Sequence, residues 1–387
     1  MSSKLRVQLL KSPLELVLLA SECDALARRM QPRSPFATSS WHGLWWAHYR
    51  EDRLLVKDHF FVHTVRDEQG TLLALAPLML TERPSKGPLR SRSVAFFGGD
   101  KSVTELRGIV CAPESEGPVV RALLAHFNAR GDDWDWFVWN GVRKDSEAYA
   151  ALSETKGFEW ARETLDYTLP LAPTWEGFLS GRSRNIKESL RKCYNSLKRN
   201  GHVFNFRVVS EPAELLPALH RFFALHACRA SSPNQIAHAD VFAIPQARKL
   251  LLDLAARPSA ELSLRVFQLE IAGSVVACRL GFVMGSELYL YFSGYEPSWA
   301  AYSVMTTTVA ESIKWAIQSG YELVNLSPGT DVSKTRWGAT AVVTGNGVLV
   351  SPKPRGRFVF ETLRELNDRS HRETLLGKIV DRARRHG

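Results

Sequence analysis

Residues 287–337 constrain the fold most, because their pattern changes from strand to helix and back within one short stretch. Apolar residues alternate through residues 288–292, which predicts a strand, and a second short strand is predicted at residues 322–326. Between them, apolar side chains recur every three or four residues over residues 303–318, the spacing of one helix face, and Gly320 is placed to end that helix. A strand, a helix and a strand in this order form a crossover that places both strands parallel in one sheet.

The start of the predicted helix is a candidate anion site. Free backbone N–H groups and the positive end of the helix dipole favour a negative charge there. Ser303 and Thr306 stand in the first turn with two further threonines, and the basic Lys334 and Arg336 return after the second strand. The alternative is that the hydroxyls only cap the helix, which is the commoner use of any one of them. For the stretch as a whole, we expect a phosphate-bearing ligand.

Length and charge bound the class of protein. A chain of 387 residues suits two domains, each with its own core. The formal net charge of +10 favours an anionic partner, which includes a nucleic acid, a phosphorylated cofactor and a membrane surface. No apolar run approaches the roughly 20 residues of a membrane-spanning helix. The apolar core of the N-terminus is also too short for a signal peptide, so we expect a cytoplasmic protein.

Metal and nucleophile motifs are missing from the sequence. The five cysteines are scattered without a Cys-x-x-Cys pair, which indicates neither a zinc site nor a disulfide framework. There is no Gly-x-Ser-x-Gly elbow, Walker A sequence, dinucleotide fingerprint or His-Glu-x-x-His motif. We therefore predict no metal ion.

The predicted elements repeat in the same order in both halves of the chain: a strand, helices, a hairpin, a further strand, a helix and a strand. In the first half the hairpin joins residues 60–64 to a strand over residues 72–79. Pro170 marks the boundary between the halves. The sequence predicts an α/β protein with mixed sheets and two domains, residues 1–170 and residues 171–387, of which the second carries the candidate anion site.

The motifs of the second half resemble the GNAT-like acyltransferases of the CelD-like (cellulose-biosynthesis) type, which are related to the Fem aminoacyl transferases. The shared residues are Gly294-Tyr295-Glu296-Pro297, Tyr302-Ser303, Gly320-Tyr321, Gly329 and Lys334-Thr335-Arg336-Trp337-Gly338. The sequence departs from that pattern at Val304-Met305, Asn325 and Ser333. The resemblance implies tandem GNAT-like (acyl-CoA N-acyltransferase) domains, of which the C-terminal one, residues 171–387, carries the donor site.

Further candidate site residues lie before this stretch and within it. Phe223, His226 and Arg229 match the Phe-x-x-His-x-x-Arg element of that family, and their spacing puts His226 and Arg229 on one side of a helix. We expect His226 on the helix surface, facing a cleft, as a candidate base; the alternative is a packing residue. Tyr302 is a candidate proton donor to a leaving thiolate, and Lys334 a candidate for binding phosphate or polarising the acyl carbonyl.

A basic helix is predicted over residues 184–199, and its Arg184 and Lys187 are candidates for binding the donor. The alternative is an ordinary solvated face over an apolar stripe. The favoured function is that of an N-acyltransferase that uses acetyl-CoA or another acyl-CoA to acylate an amine, which the resemblance suggests belongs to a sugar or to a cell-envelope or exopolysaccharide precursor. Two alternatives stay open: a Fem-like transferase that uses aminoacyl-tRNA, and a degenerate, non-catalytic GNAT binding module.

Overall fold

The structure is a computed structural model that describes residues 5–84, 90–99, 103–232, 239–257, 259 and 261–371. The strands of these residues are β1 (Arg6–Leu9), β2 (Lys57–Phe60), β3 (His63–Arg66), β4 (Leu72–Ala76), β5 (Leu78–Pro84), β6 (Arg90–Phe96), β7 (Val110–Cys111), β8 (Trp136–Arg143), β9 (Phe158–Pro170), β10 (Phe204–Val209), β11 (Ser263–Ile271), β12 (Ser274–Met284), β13 (Glu287–Tyr295), β14 (Leu323–Asn325) and β15 (Thr340–Val350). The α-helices are α1 (Pro13–Leu18), α2 (Ala20–Arg29), α3 (Ser39–Tyr49), α4 (Glu116–Ala129), α5 (Glu147–Ser153), α6 (Trp175–Ser180), α7 (Arg184–Arg199), α8 (Pro212–Ala230), α9 (Pro245–Ala256), α10 (Val304–Gln318), α11 (Val332–Thr335) and α12 (Pro354–His371).

The predicted crossover is confirmed as β13, α10 and β14. The two strands are parallel neighbours, and the pairs run from Glu287 with Leu323 to Tyr289 with Asn325. Gly320 follows the helix with a φ of 77°, a left-handed conformation that glycine adopts without the penalty of a Cβ atom. The buried faces of the three elements share one core cluster, which includes Leu288, Ile313 and Val324.

A second parallel crossover lies in the N-terminal half, formed by β6, α4 and β8. Ser93 pairs with Trp136 and Ala95 pairs with Val138. The hairpin before it is confirmed as β3 and β4, but the strand predicted over residues 72–79 is divided. Pro77 separates β4, which lies in a four-stranded sheet of β1, β3, β4 and β7, from β5, which lies in the large sheet. A proline has no N–H to donate to a strand partner, and it is typical of such breaks.

The large sheet runs through both halves of the chain. Its eleven strands have the order β10-β11-β12-β13-β14-β9-β15-β8-β6-β5-β2. Strand β9, from the first half, pairs on one side with β14 and on the other with β15, both from the second half. Strand β15 also pairs with β8. The division into domains at residue 170 stays a prediction, and the sheet is continuous across it.

The predicted basic helix is confirmed as α7, and its apolar stripe of Ile186, Leu190, Cys193 and Leu197 is buried. This helix packs beside α10, while α8 lies against β13. Among the helices of the described residues, none is both long and apolar enough to cross a membrane. Within the same ranges, no group of three or more His, Cys, Asp or Glu side chains is arranged to hold a metal ion.

Candidate functional site

Strands β13 and β14 part at the edge of the sheet where their carboxyl ends lie. Tyr289 and Asn325 form the last parallel pair, and β13 then continues to Tyr295 while pairing with β12. Strand β14 ends at Asn325, whose side-chain oxygen accepts the backbone N–H of Ser327 at 2.7 Å. The resulting gap opens toward the start of α10. Ligands of open α/β sheets bind at such an edge, beyond the carboxyl ends of the strands.

Three arginines line a small cavity of about 90 Å³ at this gap: Arg229, Arg279 and Arg336. Arg279 comes from β12, is 9% exposed, and has an Nε without a hydrogen-bond partner among the described residues. Burial lowers the pKa of Arg279 to about 10, because a charged guanidinium loses hydration there. Arg336 donates to the Thr306 hydroxyl at 2.8 Å, which brings a basic side chain to the first turn of α10. The sequence predicts basic residues near the helix start, and Arg336 lies there, while the anion site itself stays a prediction.

Lys334 adds a fourth positive charge beside this cavity. Its ammonium donates to the carbonyl of Pro328 and lies 3.7 Å from the Asp331 carboxylate, and its side chain is 14% exposed. Burial lowers the pKa of Lys334, and the nearby Arg279 lowers it further. Buried cations are costly unless an anion compensates them. The cluster of Arg229, Arg279, Lys334 and Arg336 therefore fits a bound anionic group.

Two carboxylates reach the same gap from the N-terminal half. Asp166 of β9 accepts the Asn325 side-chain N–H at 2.6 Å, and Glu105 accepts the Tyr289 hydroxyl at 2.8 Å. Burial raises the pKa of both carboxyls, that of Glu105 to about 7. These residues place acid–base groups next to the cation cluster.

The expectation that His226 lies on the helix surface is wrong. The side chain is 4% exposed and packs against Phe222, Phe242 and Phe292. Its Nδ1 lies 2.9 Å from the carbonyl oxygen of Ser293, and its Nε2 lies 3.9 Å from Asp240. Burial lowers the pKa of His226, which keeps the ring neutral. Because α8 is covered by β13 and by the segment that holds Phe242, this histidine packs inside the protein.

Arg229 shares the side of α8 that carries His226, as its spacing predicts. It donates to the Ser293 hydroxyl at 2.6 Å, and its guanidinium lies 5.8 Å from the ring centre of Tyr295. Both α8 residues therefore contact Ser293 in β13, but only Arg229 also lines the cation cavity. Burial lowers the pKa of Arg229 as well.

The remaining predicted residues lie around the gap or away from it. The Tyr302 hydroxyl accepts a hydrogen bond from Asn200 at 2.7 Å and lies 3.2 Å from Nε2 of His202, near the end of α7. Ser303 is exposed, precedes α10 with a left-handed φ of 54°, and makes no side-chain capping bond. Arg184 pairs with Glu188 at 2.6 Å, and Lys187 donates to the carbonyl of Ser180 at 3.1 Å. Of this group, none contributes to the cavity at the gap, and their roles stay predictions.

Arg279, Asp166, Glu105 and Tyr289 escaped the sequence reasoning, which concentrated on motifs. One signal was present for Arg279: it is a charged residue within an otherwise apolar strand, Ser274–Met284. Such a residue is retained in a buried strand only where something compensates its charge. Glu105 carried no comparable signal, because it lies in an irregular segment distant in sequence from Tyr289.

Comparison with known proteins agrees with this geometry. Residues 184–335 match the family model described as an acetyltransferase (GNAT) domain. The protein carries a GNAT acyltransferase domain. That match spans β13, α10, β14 and Lys334. Because it is a match of sequence as well as of fold, it supports acyltransferase activity. No curated protein matches the sequence.

Solved structures extend the similarity of fold to most of the chain. The crystal structure of FemX is similar with a TM-score of 0.59 and 12% identity, covering 92% of this chain and 99% of FemX. The C-terminal domain of a putative lysylphosphatidylglycerol synthetase from Agrobacterium fabrum is similar with a TM-score of 0.50 and 13% identity, covering 87% of this chain and 92% of that one. At such low identity these similarities concern the fold, which is the GNAT fold with mixed sheets.

Proposed function

We propose that this GNAT protein is an N-acyltransferase that takes its acyl group from acyl-CoA, with the phosphates of CoA held by the cation cluster. The observation that carries the proposal is Arg279, a buried arginine whose Nε has no hydrogen-bond partner among the described residues. Arg336 and Thr306 connect that charge to the start of α10, where backbone N–H groups favour an anion. A phosphorylated donor supplies the negative charge that this cavity requires.

The reaction needs no covalent enzyme intermediate. The acceptor nitrogen forms a bond to the acyl carbon, the carbon–sulfur bond breaks, and a base takes the proton that the nitrogen releases. Negative charge develops on the carbonyl oxygen during the attack, and cations stabilise such a charge most where water is excluded. In the proposal Lys334 serves this purpose, while Arg229 and Arg336 bind phosphate and His226 positions Ser293.

A second candidate donor is aminoacyl-tRNA, as in the Fem-type transferases. The observation that favours it is the exposed basic face of α7. The exposed basic side chains of this face are Arg184, Arg191, Lys192, Lys198 and Arg199. A basic helix face binds a nucleic-acid backbone without reading its sequence. We further propose that the protein is of the CelD-like type, that it is cytoplasmic, and that its acceptor is an amine of a sugar or of an envelope precursor.

Titration of the donor tests the site. We expect acetyl-CoA to bind the wild type, and Lys334→Ala to weaken that binding by about tenfold to a hundredfold, the usual effect of one charge-assisted contact. Added salt should weaken the wild type more than the variant, because the screened charge is the one removed. The measurement is calorimetry at two ionic strengths. Lys144→Ala, which removes an exposed lysine paired with Glu163, is the matched control.

Parallel titrations with aminoacyl-tRNA and with uncharged tRNA distinguish the donors. Binding of acetyl-CoA that depends on Lys334 supports the acyl-CoA proposal. Binding of aminoacyl-tRNA alone, reduced by Lys192→Ala and Lys198→Ala, supports the second candidate. Equal affinities and equal salt slopes for wild type and Lys334→Ala would remove Lys334 from the donor site.

A further inference from the structure

A second cavity, of about 100 Å³, lies mainly in the N-terminal half and has no lining residue in common with the cation cavity. We call it the N-terminal cavity. Its wall is mostly apolar and includes Phe36, Trp41 and Phe97. The rings of Phe36 and Trp41 meet edge to face, with their centres 4.8 Å apart. These aromatic walls provide a surface on which a small ring can pack.

His42 of α3 lines this cavity, and neither of its ring nitrogens has a hydrogen-bond partner among the described residues. Its side chain is 4% exposed. Burial lowers the pKa of His42 to about 3, so the ring is neutral and carries one N–H donor and one acceptor nitrogen. A buried polar group without a partner is costly. The buried His63, in contrast, has its Nδ1 2.7 Å from the carbonyl oxygen of Phe61.

Asp166 of β9 contributes a second buried polar group to the same wall. Its Oδ2 accepts the Asn325 side-chain N–H, whereas its Oδ1 has no partner within the described part of the chain. The side chain is 2% exposed. Two buried polar side chains from different elements therefore line one apolar cavity with hydrogen-bonding capacity unused.

The charged residues in the wall of the N-terminal cavity balance in number. Arg107 and Arg143 are the basic residues, and Glu116 and Asp166 are the acidic ones. Arg143 is already paired with Asp145 at 2.7 Å. The cation cavity, in contrast, is lined by three arginines. The N-terminal cavity therefore suits a neutral ligand better than an anion.

The size of the N-terminal cavity limits what can enter it. An apolar cavity of roughly 150 Å³ accommodates benzene, so the smaller space here suits one small ring. Residues 30–32, Arg143 and Val342 also line a larger cleft of about 450 Å³. The two spaces are adjacent, and a substituent on the ring can extend into that cleft.

We propose that the N-terminal cavity is a binding site for a neutral small molecule that combines one apolar ring with a hydroxyl group, with His42 as the partner of that hydroxyl. A hydroxyl both donates and accepts, so it satisfies either tautomer of the neutral ring. The Oδ1 atom of Asp166 is available to a second donor of the same ligand. This site goes beyond the acyl-CoA proposal, because the cation cavity contributes no residue to it.

Phenol and toluene are matched probes of this site, because they are similar in size and only phenol carries a hydroxyl. Calorimetry measures the binding of each to the full-length protein. We expect the wild type to bind phenol about threefold to tenfold more tightly than toluene, the usual effect of one hydrogen bond between neutral groups. His42→Phe should weaken phenol binding until it equals that of toluene. His220→Phe, at an exposed position of α8, is the matched control and should keep the preference.

The stability of the unliganded variants gives a second measurement. Because His42→Phe removes no hydrogen bond of the ring and keeps an aromatic side chain, it should unfold at the same urea concentration as the wild type or a higher one. His63→Phe removes the contact with the Phe61 carbonyl and should unfold at a lower concentration. A loss of stability in His42→Phe as large as that in His63→Phe would reveal a partner inside the protein and overturn the role of His42.

The binding data distinguish the alternative contents of the cavity. A wild type that binds neither phenol nor toluene would overturn the site and leave the cavity to water. Equal affinity for both probes, unchanged in His42→Phe, would show a purely apolar cavity and overturn the hydroxyl ligand. Absence of acetyl-CoA binding would count against the acyl-CoA proposal alone, because phenol binding does not require the donor.

Discussion

The two parallel crossovers of this protein share one geometry and differ in the charge at the start of their helices. In the N-terminal unit, β6-α4-β8, the helix begins at Glu116, whose own carboxylate lies in its first turn. In the C-terminal unit, β13-α10-β14, the first turn of the helix has no acidic residue, and Arg336 binds Thr306 there. A helix N-terminus is stabilised by negative charge. The first unit places a carboxyl there, although burial raises the pKa of that carboxyl, whereas the second unit places positive charge there, which suits an anionic ligand.

The cavities beside the two helices differ in the same way. The N-terminal cavity has aromatic and aliphatic walls, with Glu116 and Arg143 at its polar end. The C-terminal cavity is lined by three arginines. The two parallel crossovers therefore lie beside cavities of opposite character, one with mostly apolar walls and one with cationic walls. This contrast supports the proposal that the donor binds in the second unit.

The largest expected effect concerns the packing that supports the C-terminal unit. His226→Ala should lower the free energy of unfolding by about 3 kcal/mol, because it leaves a cavity among three phenylalanines and removes a buried hydrogen bond to Ser293. Chemical denaturation measures the change. His220→Ala, at an exposed position of the same helix, should change stability by less than about 0.5 kcal/mol. Equal stability of the two variants would contradict the packing role and restore His226 as a candidate base.

The next effect tests the charge contrast directly. Arg279→Met should weaken acetyl-CoA binding by about tenfold to a hundredfold, because a buried charged contact to the phosphate is lost. Without ligand, the variant should be as stable as the wild type or more stable, since an uncompensated buried charge has been removed. Arg143→Met removes the paired arginine of the N-terminal cavity and should leave that affinity unchanged. If Arg279→Met lost stability but kept its affinity for acetyl-CoA, the proposed contrast in charge between the two cavities would be wrong.

The smallest effect concerns the helix start of the N-terminal unit. Burial raises the pKa of Glu116, so the stability that its protonated form contributes is complete below its unfolded pKa and is lost as pH rises through the folded pKa. Glu116→Gln should therefore be slightly more stable than the wild type at pH 8, by less than about 1 kcal/mol, with no such gain at pH 4. Thermal denaturation at the two pH values measures the difference. A variant that is less stable at pH 8 would show that the carboxylate stabilises α4 in its charged form.

Local patterns predicted the elements better than the surroundings of their side chains. The alternation in β13, the apolar spacing in α10 and the basic helix α7 all depend on neighbouring residues, and each was predicted correctly. The burial of His226 was not, because spacing assigns a residue to one side of a helix without revealing what covers that side. Glu105 required knowledge of a contact between distant segments, which no local pattern contains. The break in the strand at Pro77 could be predicted from the sequence, because proline has no N–H to donate to a neighbouring strand.

The pairing of β9 with β14 and β15 affects how the sheet forms during synthesis of the chain. Strand β9 is complete at residue 170, but both of its neighbours, β14 and β15, come from residues 323–350. While the ribosome makes the intervening residues, β9 and one edge of β8 lack their final partners, and unpaired strand edges bind other chains readily. The strands of the N-terminal half therefore obtain their final partners only after β15 has been made, at residue 350. A fragment that ends at residue 170 would carry this exposed edge permanently, and we expect it to aggregate rather than fold.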